Sequence, residues 1–144
     1  MIIKKKILIM GLPGSGKTTL AKLLVPMFNA VWLNADKVRE EANDWDFTVK
    51  GRERQAERMR LLAYQSTDKN RNVIADFVCP TEYTRKEFNP DYTIWMNTIK
   101  VGKFEDTNKM FEQPKNPDFI VTHFDAKMWA FLIKQDIMDK FNVG

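Results

Sequence analysis

The chain has 144 residues, of which 44% are apolar and 29% charged, so it fits one domain over residues 1–144 with a core and a solvated surface. No apolar run approaches the roughly 20 residues needed to cross a bilayer, so no membrane partner is expected. The one cysteine, Cys79, excludes an internal disulfide and fits a reducing, cytoplasmic setting, and the net charge of +4, with no basic run beyond Lys4-Lys5-Lys6, fits an anionic small molecule better than a nucleic acid.

In chain order, residues 2–10 are rich in isoleucine and end at a glycine. They predict a buried strand of the mature fold rather than a leader, because the apolar run at 7–10 is too short for one. Residues 11–16 form a glycine-rich turn. Residues 17–28 place Leu20, Leu23, Leu24 and Phe28 at helical spacing, with Pro26 kinking or ending the helix. A second strand is expected at 30–33 and a helical turn at 36–41. Residues 50–65 predict a charged helix with Met59, Leu62 and Ala63 inward. Residues 72–78 read as a third strand whose only charge is Asp76, and Pro80 and Thr81 open a short helix to Phe88. A fourth strand is expected at 92–96. Residues 98–117, with four lysines, two prolines and no period, read as a loop. A fifth strand follows at 119–122. The last helix, 126–141, is expected to turn Trp129, Leu132, Ile133 and Ile137 inward. This alternation predicts an α/β fold of the P-loop NTPase type: three α/β/α layers around a mostly parallel sheet of about five strands.

Gly11-Leu12-Pro13-Gly14-Ser15-Gly16-Lys17-Thr18 matches G-x-x-x-x-G-K-[ST] in full, between a predicted strand and a predicted helix. Glycines let successive N–H groups turn into a phosphate-sized cavity, and the helix N-terminus adds its dipole. The ATP-binding candidates are therefore Gly11, Pro13, Gly14, Ser15, Gly16, Lys17, Thr18 and Thr19. Lys17 would reach the β- and γ-phosphates, and the Thr18 hydroxyl would ligate Mg²⁺. A guanine-reading N-K-x-D motif is absent, since Asn34-Ala35-Asp36-Lys37 holds those residue types in another order. This argues against a switch GTPase.

Ligands in such sheets sit beyond the carboxyl ends of the strands. Asp36 and Arg39 follow the second strand, three residues apart, on one face of a helical turn. There a carboxylate orients an acceptor hydroxyl and takes its proton, and an arginine grips an anionic acceptor. The plainer alternative is an N-cap aspartate and a surface arginine. Asp76, a lone carboxylate in an apolar strand, needs partners if buried. Should its strand lie beside the phosphate-loop strand, it would approach Mg²⁺. Arg52 and Arg85 are further candidates to reach the cleft. His123, the only histidine, reads as a structural or surface residue, and the four tryptophans read as core or core-edge residues. With one Cys and one His, a zinc site of Cys/His type is excluded.

These residues resemble the adenylylsulfate kinase family of P-loop kinases, which phosphorylate the 3′-hydroxyl of adenosine 5′-phosphosulfate (APS). Leu33-Asn34-Ala35-Asp36-Lys37-Val38-Arg39 is similar to L-D-G-D-N-V-R. Phe47-Thr48 with Arg52 is similar to G-F-S-x-x-D-R, and Phe77-Val78-Cys79-Pro80 with Arg85 to F-I-S-P-Y-R-x-x-R. Residues 104–114 are similar to F-T-G-I-D-x-P-Y-E-x-P. The resemblance implies ATP and Mg²⁺ as cofactors and Asp36 and Lys17 as catalytic residues. It implies that Arg39 and Arg52 hold APS and that Phe47 and Phe104 sandwich its adenine, against the alternative that both rings pack in the core. A homodimer is implied as well. The chain departs from the family at Asn34 (an acid there), at Gln55 (usually asparagine) and at Cys79 (serine in some members). It also lacks the lid stretch D-P-K-G-L-Y-K-K-A-R. Only residues 98–103 precede Phe104, leaving Lys100, Lys103 and Lys109 to supply lid charge.

Two other readings stay open at this stage. One is a P-loop kinase for another acceptor, such as a polynucleotide 5′-hydroxyl, a nucleoside or a small alcohol; only the first would bring a nucleic-acid partner. The other is an ATP-binding module without catalysis.

Overall fold

The computed structural model describes residues 4–142. Among them are five strands, all parallel to their neighbours, in the order β2-β3-β1-β4-β5. In chain order the elements are β1 (Lys6–Met10), α1 (Lys17–Met27), β2 (Val31–Asn34), α2 (Ala35–Ala42), α3 (Val49–Asp68) and β3 (Val73–Asp76). They continue with α4 (Glu82–Phe88), β4 (Tyr92–Met96), α5 (Glu105–Met110), β5 (Phe119–Val121) and α6 (Ala126–Lys140). The start of the expected first strand, at residues 2 and 3, lies outside the described residues; from Lys6 the strand is present.

Alternation along the strands divides the core in two. Ile7, Ile9, Ile74 and Ile94 face Leu20, Leu24 and Phe28 of the α1 segment and Ala130, Ile133 and Ile137 of α6. Leu8, Met10, Ala75 and Trp95 face Ala56, Met59 and Ala63 of α3, with Phe77 and Phe88. The three layers follow from burying both faces of one apolar sheet. β1 is central, flanked by β3 (Ile9 opposite Asp76) and β4 (Ile9 opposite Ile94). The phosphate-loop turn therefore emerges from the middle of the sheet's carboxyl edge.

Local signals set the helix ends. Asn34, Thr48 and Thr81 cap α2, α3 and α4 with side-chain oxygens, and Asn43 and Asn89 end α2 and α4 in the left-handed conformation that asparagine tolerates. Pro26 sits in the last turn of α1 and does not break it early.

Two expectations fail. Residues 105–110 of the expected loop form α5, whose Thr107 is buried and accepts a hydrogen bond from Arg52 Nη2 at 2.9 Å. Tertiary contact holds this helix, without an apolar period that could announce it. In α6, Ala130 rather than Leu132 joins Ile133 and Ile137 inside; Leu132 and Phe131 face out. So many positions of α6 are apolar that periodicity could not choose its inner face.

Gly51 lies where a Cβ would stand 2.1 Å from the Asp46 carbonyl oxygen, so the turn at 43–48 is pressed onto the start of α3. Gly51→Ala should push that turn away and cost about 1–3 kcal/mol, read as a lower denaturant midpoint. An unchanged midpoint would contradict this packing.

Candidate active site

The site begins with the uncapped start of α1. Its N-cap, Gly16, has φ of 99° and offers no side-chain cap, so the first-turn N–H groups are left for an outside acceptor. Gly16 provides the left-handed turn that a side chain would strain. The loop closes on itself through Ser15 N–H donating to the Leu12 carbonyl at 3.1 Å. Lys17 folds back, its Nζ donating to the same carbonyl at 2.9 Å. Burial lowers the Lys17 pKa to about 8, opposed by the carboxylates of Asp76 and Asp36 and assisted by Arg52. The buried Ser15 Oγ has no hydrogen-bond partner among the described residues. Gly11 and Ser15 are buried and line neither of two cavities, whereas Gly14, Lys17 and Thr18 line both.

The larger cavity, about 930 Å³, brings Lys17, Thr18, Asp36, Arg39, Phe47, Arg52, Asp76 and Phe104 to one place, with Pro13 at its wall. Asp36 stands exposed in the first turn of α2, and no described side chain donates to it. Arg39 is 2% exposed; its Nη1 donates to the Asp44 and Asp46 carbonyls at 2.8 and 3.1 Å. It therefore braces the 43–48 turn as well as lining the cavity. The guanidinium carbons of Arg39 and Arg52 lie 4.5 and 4.9 Å from the centre of the Phe47 ring. Burial and the nearby Arg39 charge bring Arg52 down to about 10, and its buried Nε has no hydrogen-bond partner among the described residues. Phe47 and Phe104 are about half exposed, so neither ring is the core residue that the plainer reading allowed.

Asp76 is 3% exposed and carries three donors around it. Trp32 Nε1 donates to Oδ2 at 2.6 Å and Asn34 Nδ2 at 3.2 Å, while Thr18 Oγ1 lies 3.5 Å from Oδ1. Burial raises the Asp76 pKa, opposed by the bonds from Trp32 and Asn34 and by the charge of Lys17. Asn34 and Asp76 are register partners on adjacent strands. The resemblance puts an acid at position 34; here the neighbouring strand supplies the carboxylate. Its partners are side chains rather than the strand-end N–H groups of a purely structural aspartate. Among the described residues no cluster of three metal-ligating side chains exists. Thr18 and Asp76 offer the hydroxyl and the carboxylate that a hard cation on a bound nucleotide's phosphates takes. The uncapped helix and the Thr18–Asp76 pair fit such a group.

The smaller cavity, about 530 Å³, runs from Gly16 and Thr19 to His123 and Phe124 on the segment joining β5 to α6 and to Trp129 in the first turn of α6. Sequence reasoning missed it. Phe124 is 66% exposed, and its ring would lie 3.4 Å from a Cβ at Gly16. His123 packs edge-on against Trp129, whose Nε1 donates to the His123 carbonyl.

Two further side chains differ from expectation. Arg85 does not reach the cleft: it is buried and donates to the Cys79, Pro80 and Glu112 carbonyls. Trp45 is exposed and not at a core edge, while Trp32 sits at the core edge as expected and also donates a hydrogen bond to Asp76. Of the candidate lid lysines, Lys103 lines the larger cavity and Lys109 pairs with Glu105.

A family model described as an AAA domain matches residues 7–89, more than half of the chain. The chain belongs to this AAA-domain family. The matched stretch contains the phosphate loop, Asp36 and Asp76; the β5–α6 cavity wall lies outside it. No curated protein matches the chain. Among solved structures it is similar to the Mycobacterium tuberculosis APS kinase in complex with AMPPNP and APS. There the TM-score is 0.79 and identity 19%, over 92% of this chain and 96% of that one. It is also similar to shikimate kinase from Acinetobacter baumannii in complex with shikimate, with TM-score 0.62 and 16% identity over 94% of each chain. A sugar kinase from Janibacter gives 0.70 and 13%, over 97% and 95%. At these identities the likeness establishes the fold, that of P-loop kinases. No described helix is long and apolar enough to cross a membrane.

Cys79 lines the larger cavity yet is 1% exposed, and burial pushes its thiol up to about 12. A thiol reagent at pH 8 should therefore modify the folded protein on the order of 100-fold more slowly than the unfolded chain. Equal rates would show the cavity floor to be open.

Proposed function

We propose that this chain is an ATP- and magnesium-dependent kinase that phosphorylates a hydroxyl of an anionic, ring-bearing small molecule, with APS as the candidate acceptor. The observation that carries the reading is the meeting of two cavities at Gly14, Lys17 and Thr18, with Asp36 standing in the larger one.

In this reading the triphosphate rests on residues 14–19 and the base lies in the smaller cavity beside Phe124. The acceptor occupies the larger cavity. Asp36 orients its hydroxyl and takes the proton as the oxygen bonds to the γ-phosphorus and ADP leaves. Lys17 leaves the Leu12 carbonyl to neutralise charge on the transferred group. A bound Mg²⁺, held at Thr18 and Asp76, would supply further neutralisation. Positioning and electrostatics are what such a transfer requires, since it needs little covalent help. Arg52, with its unpartnered Nε, supports an anionic acceptor, and Arg39 adds charge while bracing the loop. The exposed rings of Phe47 and Phe104 support an acceptor with a flat ring. Lys103, Phe104 and α5 roof part of the cavity, a short substitute for the absent lid stretch. A roof of this kind excludes water and limits ATP hydrolysis.

Incubation with Mg-ATP and APS should yield the 3′-phosphorylated product on chromatography. Asp36→Ala should lower that rate roughly 10²- to 10⁴-fold with Mg-ATP affinity retained. ATP binding without this product would remove APS as the acceptor; an unchanged rate in Asp36→Ala would remove the assigned role of Asp36. Phe124→Ala should weaken Mg-ATP binding on the order of tenfold, as expected for losing one base–aromatic stack, while tripolyphosphate binding stays constant. Calorimetric titration with both ligands checks this, and equal losses for both would place the base elsewhere.

A further inference from the structure

The carboxylate of Asp76 is not held symmetrically. Oδ2 receives the Trp32 indole N–H at 2.6 Å and the Asn34 amide at 3.2 Å. Oδ1 has only longer contacts, to Asn34 Nδ2 at 3.4 Å and Thr18 Oγ1 at 3.5 Å. An indole N–H is a donor only, so this bond fixes one carboxylate oxygen as its acceptor. Trp32 lies two residues before Asn34, on the same face of β2. Its register partner is Ile74, so the indole reaches diagonally to the following pair, Asn34 and Asp76. Packing alone would be served by any large apolar side chain against this partly buried stretch of core. The N–H is what an apolar substitute would lack.

We propose that Trp32 is a positioning residue: its indole N–H ties up one oxygen of Asp76 so that the other is held toward Thr18, where the cation of a Mg-nucleotide binds. The inference rests on the kinase reading and adds to it a residue that neither the phosphate-loop motif nor the neighbouring acid pattern marks. A carboxylate free to rotate about its last bond would offer either oxygen to the cation, or neither. One pinned through Oδ2 presents Oδ1 in a fixed direction. The Asn34 amide spans both oxygens, so the choice between them rests on the Trp32 bond.

The test compares ADP binding with and without Mg²⁺ in the full chain and in Trp32→Phe, with ¹⁵N-detected indole resonances as a second readout. In the nucleotide-free protein the Trp32 indole proton should lie downfield of that of exposed Trp45 and move upfield in Asp76→Asn. In Trp32→Phe, ADP affinity in EDTA should stay within about twofold of the parent. The gain in affinity on adding Mg²⁺ should fall on the order of tenfold, the usual effect of losing a partner behind a metal ligand. A full Mg²⁺ gain in Trp32→Phe would overturn the proposal and leave Trp32 a packing residue, with the kinase reading intact. Should Trp32→Phe fail to fold, the parent protein decides: adding Mg²⁺ to the ADP-saturated chain must shift the Trp32 indole signal, and an unmoved signal overturns the proposal. A parent chain that binds no ADP would instead overturn the kinase reading and this inference together.

Discussion

A helix that starts without a side-chain cap, at the carboxyl end of the central strand, leaves backbone donors that only an outside acceptor can satisfy. Gly16 makes that start of α1 sterically accessible, Ser15 closes the turn, and Lys17 waits folded onto the Leu12 carbonyl. The sheet order then determines what surrounds this point. β3 on one side of β1 brings Asp76 to the loop, and β2 beyond it brings Asn34, Trp32 and the start of α2. The far edge, β4 and β5, delivers the segment carrying His123 and Phe124. Both cavities are consequences of five parallel strands ending at one edge.

The two halves of the site are built differently. The smaller cavity draws on one short segment and the loop itself. The larger one is assembled from α2, the 43–48 turn, α3, the end of β3 and α5, and it is braced by arginines. Arg39 ties the turn's carbonyls, Arg58 and Arg54 pair with Asp44, and Arg52 joins Phe47 to Thr107. Much of the cationic charge of this region thus serves to hold irregular backbone in place. Among the described residues, Arg52 is the arginine whose buried nitrogen remains unspent.

What was legible in the residues follows from how local each signal is. The phosphate loop is contiguous, and its strand-turn-helix setting is written in adjacent residues. β4 is a short β-rich run bounded by turn residues and falls at 92–96 as expected. Asp36 and Arg39 were legible from the strand end they follow and their helical spacing, whereas Phe47 and Phe104 were legible only through the order of motif blocks. What was lost depends on contacts distant in sequence. α5 exists through Arg52 and through Asn108 bonding Gly102. Leu132 faces out because α6 has more apolar positions than its contact with the sheet can bury. Beyond its packing at the core edge, the polar role of Trp32 is illegible because its partner is 44 residues away, across a strand pairing that no local pattern specifies.

A crystal structure of the chain with magnesium and AMPPNP tests the central claim most directly. The account predicts the triphosphate on residues 14–19, the base beside Phe124, and the γ-phosphate facing Asp36 across a vacant acceptor cavity. A base seated between Arg39 and Phe104, or a γ-phosphate directed away from Asp36, would contradict it.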